Sequence, residues 1–412
     1  MQIIVAAAEN QPHNDDVPPS WVRCIYCHGR REMSDHIYLD YNATTPVSLE
    51  VLDAMVPWFN ERFWNAASAH TLGMVARDAV EIARHQVADL IGAHPNEIVF
   101  TSGSTESINL ALVGALGSSS GRTGIVTAAT EHKAVLDTAA WLAERGAYNR
   151  VLPVTASGEI DPEMLVGSVD EHTAVVSIMA ANNETGVIAD LTGPVEAARR
   201  FGALFHTDVT QAVGRINFDV EHSDIDLASL SAHKMYGPKG VGALYVRRNV
   251  QIEPVIHGGG HENNRRSGTL NVAGIVGFGV AAELAAKQRD SDAERSLQLI
   301  SELVVGLAGQ LDGVGVVAES TTRLPNTVNI RFAGADAEAI MANAPTVAVS
   351  SGSACTSMFP HPSHVLMAMG MPAEDASECL RFSTGRPTTS KDVTEAVAVL
   401  VPAVTRVREV TR

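Results

Sequence analysis

Ser229-Leu230-Ser231-Ala232-His233-Lys234-Met235-Tyr236-Gly237-Pro238-Lys239-Gly240 sets a lysine in a polar turn directly behind the short apolar segment Leu227–Ser229. A lysine in a loop is, taken alone, usually a solvated charge. Its company changes the reading. Asp208 closes another apolar segment, Leu204–Thr207, and Gln211 stands three residues further on. Asp208 has an ordinary alternative use as a helix N-cap, which is common for Asp after a strand. A lysine able to form a Schiff base and an aspartate able to pair a pyridinium nitrogen are nevertheless the two protein groups that a pyridoxal-phosphate site requires.

Strand and helix patterns alternate on both sides of this stretch. Expected strands are Glu97–Phe100, Gly124–Ala128, Arg150–Val154, Ala174–Met179, Leu204–Thr207, Leu227–Ser229 and Ala243–Val246. Helical patterns such as Lys133–Glu144 and Pro194–Phe201 lie between them, with connections long enough for crossover units. The order predicts an α/β fold with a mostly parallel sheet. The texture changes after residue 286. Leu297, Ile300, Val304, Leu307 and Leu311 form one apolar helical stripe, Thr327–Phe332 alternates as a strand, and Leu380–Ser383 suits another. A closing helix with Ser390 as its N-cap buries Val393, Val397, Leu400 and Val404. The expected division is an N-terminal extension at 1–35, disordered; a large α/β domain at 48–286; and a smaller α+β domain made of 36–47 and 287–412.

Further polar residues share the address of Lys234 and Asp208. Thr101-Ser102-Gly103-Ser104-Thr105-Glu106 lies between a strand and an expected helix Ser107–Leu116, where free N–H groups and hydroxyls favour a phosphate. An ordinary capped helix explains that stretch equally well in isolation, and it lacks the Gly-Lys-Ser/Thr of a nucleotide P-loop. His132 follows Gly124–Ala128 and Asn183 follows Ala174–Met179. All of these sit just beyond the carboxyl ends of expected strands, the edge at which open α/β sheets bind ligands. Cys355 lies among small polar residues in Ser350-Ser351-Gly352-Ser353-Ala354-Cys355-Thr356-Ser357, a context for an exposed loop, whereas Cys379 beside Leu380 suits a buried structural role.

The bulk numbers narrow the field. The chain has 412 residues, 45% hydrophobic and 19% charged, as an ordinary globular protein does. Its net charge of −17 disfavours direct nucleic-acid binding but leaves room for a basic partner protein. No apolar stretch approaches a membrane span, and the first residues lack the basic flank of a signal peptide, so a cytoplasmic location is expected. Four cysteines in so long a chain make no disulfide framework. Cys24-Ile25-Tyr26-Cys27-His28 matches a haem-attachment pattern formally, but such attachment needs export, and two thiols with one histidine fall short of a zinc site. No metal site is expected.

From Ile37 to Lys391 the chain resembles the cysteine desulfurases of the NifS/IscS type, in the class V group of fold-type I pyridoxal-phosphate enzymes. The resemblance rests on ordered motifs. They are Tyr38-Leu39-Asp40-Tyr41-Asn42-Ala43-Thr44-Thr45-Pro46, Thr101–Glu106, Glu131-His132-Lys133 and Asn182-Asn183-Glu184-Thr185-Gly186. His206-Thr207-Asp208-Val209-Thr210-Gln211, Ser231–Gly240, His257–Glu262, Arg266-Ser267-Gly268-Thr269 and Ser350–Ser357 complete the set. It implies pyridoxal 5'-phosphate bound to Lys234, its ring nitrogen on Asp208, its ring hydroxyl on Gln211, and His132 stacked on the ring and moving protons. Ser104, Thr105, Ser231 and His233 would hold the phosphate, helped by Thr269 from the partner subunit of a homodimer. Asn183 and Arg381 would hold the carboxylate of L-cysteine. Cys355 would accept the sulfur as a persulfide for delivery to an acceptor protein, leaving alanine.

Trp64-Asn65-Ala66-Ala67-Ser68 and Ala180-Ala181 depart from the family pattern on the cavity wall, which bears on rate and substrate breadth. The Ser-Gly-Ser-Ala-Cys context is similar to the long-loop branch of the family. A selenocysteine lyase or transaminase on the same fold, and a non-catalytic sulfur-carrier scaffold, are the competing readings. A transaminase has no need of Cys355, and a scaffold has no reason to keep Lys234, Asp208, His132 and Cys355 together.

Overall fold

The computed structural model describes residues 36–352 and 362–411. The expected N-terminal extension, with Cys24 and Cys27, and the segment carrying Cys355 lie outside the described residues.

Strand β1 (Ile37–Tyr38) opens the described chain. The main sheet follows with β2 (Ile98–Thr101), β3 (Gly124–Ala128), β4 (Tyr148–Leu152), β5 (Thr173–Ser177), β6 (Leu204–Asp208), β7 (Leu227–Ser231) and β8 (Gly242–Val246), in the order β2-β8-β7-β6-β5-β3-β4. Neighbours from β4 to β7 pair in parallel, while β8 runs against both β7 and β2. Runs such as Ile125-Val126 and Val175-Val176 are buried along their whole length, as a parallel sheet covered on both faces demands. The remaining strands are β9 (Val314–Val316), β10 (Thr327–Phe332), β11 (Val347–Ala348) and β12 (Cys379–Ser383).

The longer helices are α1 (Thr71–Leu90), α2 (Ser104–Ser118), α3 (Lys133–Ala143), α4 (Thr192–Phe201) and α5 (Val272–Ala308); α6 (His364–Ala368) and α7 (Ser390–Thr411) follow. On one face of the sheet α2 and α3 pack Ile108, Leu112, Val135 and Ala139 against Val99, Val175, Leu227 and Leu244. On the other, α1 and α5 pack Val80, Val87, Phe278 and Ala282 against Phe100, Phe205 and Leu230.

A separate core gathers Leu39, Leu303, Val328, Ile330, Phe382, Val397 and Leu400 around the antiparallel sheet β12-β10-β9. Helix α5 passes from the first core, at Ala285, to the second, at Leu299, so the expected boundary after residue 286 falls inside a continuous helix. The polar run Lys287-Gln288-Arg289-Asp290-Ser291-Asp292 marks the crossing between the cores. Leu297, expected in the stripe, is exposed there.

Two helix starts differ from expectation, each for a local reason. Helix α2 begins at Ser104 rather than Ser107, because Gly103 adopts φ 153° and ψ 176° and turns the chain at once from β2 into the helix. That region is accessible essentially to glycine alone. Helix α7 is capped by Thr389 rather than Ser390: Asp392 N–H donates to the Thr389 hydroxyl at 3.2 Å, and Thr389 N–H donates back to the Asp392 carboxylate at 2.8 Å.

Candidate active site

A cleft of about 360 Å³, within the ordinary size range for small ligands, is lined by Ser104, Thr105, His132, Asn183, Asp208, Gln211, His233, Lys234 and Arg381. All but Arg381 follow or end strands of the main sheet at their carboxyl edge. Lys234 ends a single 3-10 turn, Ala232–Lys234, immediately after β7. Its ammonium donates to the carbonyls of Asn42 at 2.6 Å and Ala43 at 2.7 Å. Asp208 is the buried last residue of β6 and accepts from Thr210 N–H at 2.9 Å. Gln211 donates from Nε2 to the Asn42 carbonyl at 3.0 Å.

His132 is the N-cap of α3. Its Nδ1 accepts from Ala134 N–H at 3.1 Å, so the neutral ring carries its proton on Nε2. His233 meets the Thr44 hydroxyl through Nδ1 at 3.1 Å; burial, reinforced by Lys234 and Lys239, lowers its pKa to about 4 and keeps it neutral. Arg381 lies in the middle of β12, buried, donating to the Asn183 carbonyl at 3.0 Å and pairing with Asp40. These contacts use two of its five N–H donors.

Gly103 has no side chain with which to cap α2, so the first-turn N–H groups of Ser104 and Thr105 stand at the cleft beside their hydroxyls. Glu106 in the same turn binds Arg266 at 2.7 Å, tying this corner to the 266–269 loop. Burial works to raise the Glu106 pKa, but Arg266 and Ser102 outweigh it and hold the carboxylate ionised. Ser231 and Thr269 do not line the cleft. Ser231 is buried at the end of β7, and Thr269 is exposed.

Sequence reasoning assigned no role to Asn42, Asp40 or Glu184, which the fold brings to the same place. Buried Asn42 donates to the Asn183 carbonyl at 3.1 Å and to the Thr327 hydroxyl at 2.9 Å, while its own carbonyl receives Lys234 and Gln211. The pairing of β1 with β11, and of Asp40 with Ser383, carries it there. The available signal was the alternation Leu39-Asp40-Tyr41-Asn42, polar residues threaded through an apolar segment.

Glu184 is buried, and burial lifts its pKa to about 7 despite the Ser363 hydroxyl, Arg381 and His132, which pull it down. Ser363 donates to it, and a Cβ on Gly352, at φ 86°, would sit 2.5 Å from its Oε2. The same carboxyl thus touches residues 352 and 363. Cys379, by contrast, is buried in β12, and burial drives its thiol pKa to about 12, which makes it inert.

This donor set fits pyridoxal 5'-phosphate: an amine for its aldehyde, a buried carboxylate for its ring nitrogen, and an open helix N-terminus for its phosphate.

Residues 37–395 match the aminotransferase class-V family. A cysteine desulfurase IscS from Anaeromyxobacter sp. (strain Fw109-5) is 50% identical over 378 residues, covering 90% of this chain and 93% of the relative. A solved NifS-like protein superposes with a TM-score of 0.84 at 36% identity, covering 90% of this chain and all of that one. A structure of SspA in complex with cysteine gives a TM-score of 0.76 at 36% identity, over 84% of this chain and 98% of that one. The chain belongs to the aminotransferase class-V family and, within it, to the cysteine desulfurases. It is a pyridoxal 5'-phosphate-dependent enzyme.

Proposed function

We propose that this chain takes the sulfur of L-cysteine onto Cys355 as a persulfide, releases L-alanine, and hands the sulfur to an acceptor protein. The observation that carries this reading is the convergence of Lys234, Asp208, Gln211, His132, Asn183 and Arg381 on one cleft. Lys234 would hold the cofactor aldehyde, Asp208 the ring N–H, and Gln211 the ring hydroxyl. Ser104, Thr105 and His233, which line the cleft, would hold the phosphate, with Ser231 buried behind them at the end of β7. When bound, the cofactor supplies an electron sink that acidifies the substrate Cα.

The chain's own groups do the rest. Arg381 and the Asn183 side chain would orient the substrate carboxylate. The Lys234 amine, once exchanged for the substrate amine, would move a proton at Cα, and His132 would move one from Nε2. Cys355 would attack the substrate sulfur as a thiolate, since the thiol is a poor nucleophile. The S–S bond forms as the Cβ–S bond breaks. That electron pair stays with the carbon skeleton, which takes up a proton and leaves as alanine, so no outside reductant is needed.

Several features support a homodimer with shared sites. Leu49, Val56, Phe59, Phe63 and Ile82 are exposed large apolar side chains within residues 49–82, of the kind subunits cover. Thr269, exposed and outside its own cleft, suits a contact with the partner subunit's phosphate site. The division into a large domain (48–286) and a small one (36–47 and 287–412) has support in the two cores joined by α5. Among the described residues no helix is long and apolar enough to cross a membrane, and a cytoplasmic location is proposed.

The test is mass spectrometry of the protein after brief exposure to cysteine labelled at sulfur. One labelled sulfur added to Cys355, and none on Cys24, Cys27 or Cys379, is expected. Label confined to free sulfide, with Cys355 unmodified, rejects the reading.

A further inference from the structure

We propose that Arg215 is a positioning residue that fixes the amide of Gln211 with its donor face towards the cofactor ring. This rests on the assignment of Gln211 to the ring hydroxyl. The backbone makes two successive turns after β6, closed by Val213 N–H to Val209 at 3.0 Å and Arg215 N–H to Ala212 at 3.0 Å. Gly214, at φ 78°, lets the second turn close and returns Arg215 beneath Gln211.

Arg215 then donates to the Gln211 side-chain oxygen, to the Gln211 backbone carbonyl at 3.3 Å, and to the Tyr41 carbonyl at 3.4 Å. A guanidinium only donates, and the Asn42 carbonyl, 3.0 Å from Gln211 Nε2, only accepts. The amide therefore has one satisfied orientation. Flipping it would set Nε2 against Arg215 and Oε1 against the Asn42 carbonyl, two repulsive pairings. Nε2 spends one N–H on Asn42, and its second remains for the cleft that Gln211 lines.

The charge of Arg215 points the same way. Burial lowers its pKa to about 10, so it stays protonated near neutral pH. Among the described residues no carboxylate lies within ion-pair distance of it. Through the Gln211 amide its charge would favour an ionised ring oxygen on the bound cofactor. A donor at that oxygen favours the ionised form, whereas an amide oxygen there would favour the neutral hydroxyl.

The experiment compares the visible absorption maximum and cofactor affinity of loaded wild type with Arg215→Met, Arg215→Lys, Gln211→Leu and the Arg215→Met/Gln211→Leu pair. Arg215→Met should move the maximum in the same sense as Gln211→Leu and weaken cofactor binding roughly two- to tenfold, the worth of one ordinary hydrogen bond. The double variant should show no further displacement. Arg215→Lys, which keeps a donor, should stay at the wild-type maximum; a displaced maximum there overturns the proposal even if Arg215→Met cannot be purified. An unmoved maximum in Arg215→Met, or displacements that simply add in the double variant, also overturns it. If Gln211→Leu itself changes neither spectrum nor affinity, the assignment of Gln211 falls, a result distinct from failure of Arg215 alone.

Discussion

The main sheet and the small sheet contribute to the cleft in different ways. In the main sheet, Asp208 ends β6, Lys234 lies one turn past β7, and His132 and Asn183 stand in the loops after β3 and β5. Parallel strands force this arrangement, because their carboxyl ends open on one edge and the returning helices leave a crevice there. In the antiparallel sheet β12-β10-β9, the contributing residue is Arg381, in the middle of β12 opposite Asn329. An arginine inside a buried strand is expensive unless it is paired, and Asp40 and the Asn183 carbonyl pair it. On the proposed reading, the large sheet would supply the groups for the cofactor, and the small sheet would present one cation across the cleft to the substrate.

This contrast predicts separable losses. Lys234→Ala should lose the visible chromophore and nearly all turnover, since it would remove the proposed covalent anchor and an acid/base worth about 10²–10⁴-fold. A wild type that stays colourless with added pyridoxal phosphate would break the assignment of the main-sheet edge. Arg381→Ala should keep the chromophore but lose about 1.5–3 kcal/mol of substrate interaction, roughly 10- to 150-fold in kcat/KM. Unchanged steady-state constants would remove the small sheet from the substrate site.

The smallest effect concerns Glu184, where the two sheets meet. Its folded pKa of about 7 lies above the usual 4.5, so the fold holds an extra proton between these values. Its stabilising contribution is complete below about pH 4.5 and is lost as pH rises through 7. Glu184→Gln should therefore weaken the fall in thermal midpoint between about pH 5 and about pH 8 that wild type shows. Identical pH profiles for the two proteins would show that Glu184 is not protonated in the fold.

The same contrast explains what could be read from the sequence. Gly124–Ala128 coincides with β3, and most other expected strands differ from the observed ones by one or two residues, because buried parallel strands are plain apolar runs. The polar residues behind them were legible for that reason. Arg381 was not legible from periodicity: within Leu380-Arg381-Phe382 it looks like the outward member of a half-buried strand, and family resemblance alone gave it a role. Asn42 and Glu184 depend on contacts between segments more than a hundred residues apart in sequence, Asn42 with Asn183 and Glu184 with Ser363. The unbroken α5 was hidden by its polar middle, which reflects a passage between two cores and not an end. Gly103 carried the signal for the earlier start of α2, but the φ value that makes it decisive emerges only in the fold.

The most direct test of the central claim is the Cys355→Ser variant, followed for cofactor spectrum and alanine release. Serine matches cysteine in shape, but its hydroxyl is neither ionised nor soft enough at neutral pH to attack sulfur. The variant should load the cofactor and show the wild-type spectral response when cysteine is added, because Lys234, Asp208 and Arg381 are untouched. It should release almost no alanine. Alanine and sulfide formed at the wild-type rate, without added reductant, would contradict the account and point to a lyase that expels sulfur without an enzyme nucleophile.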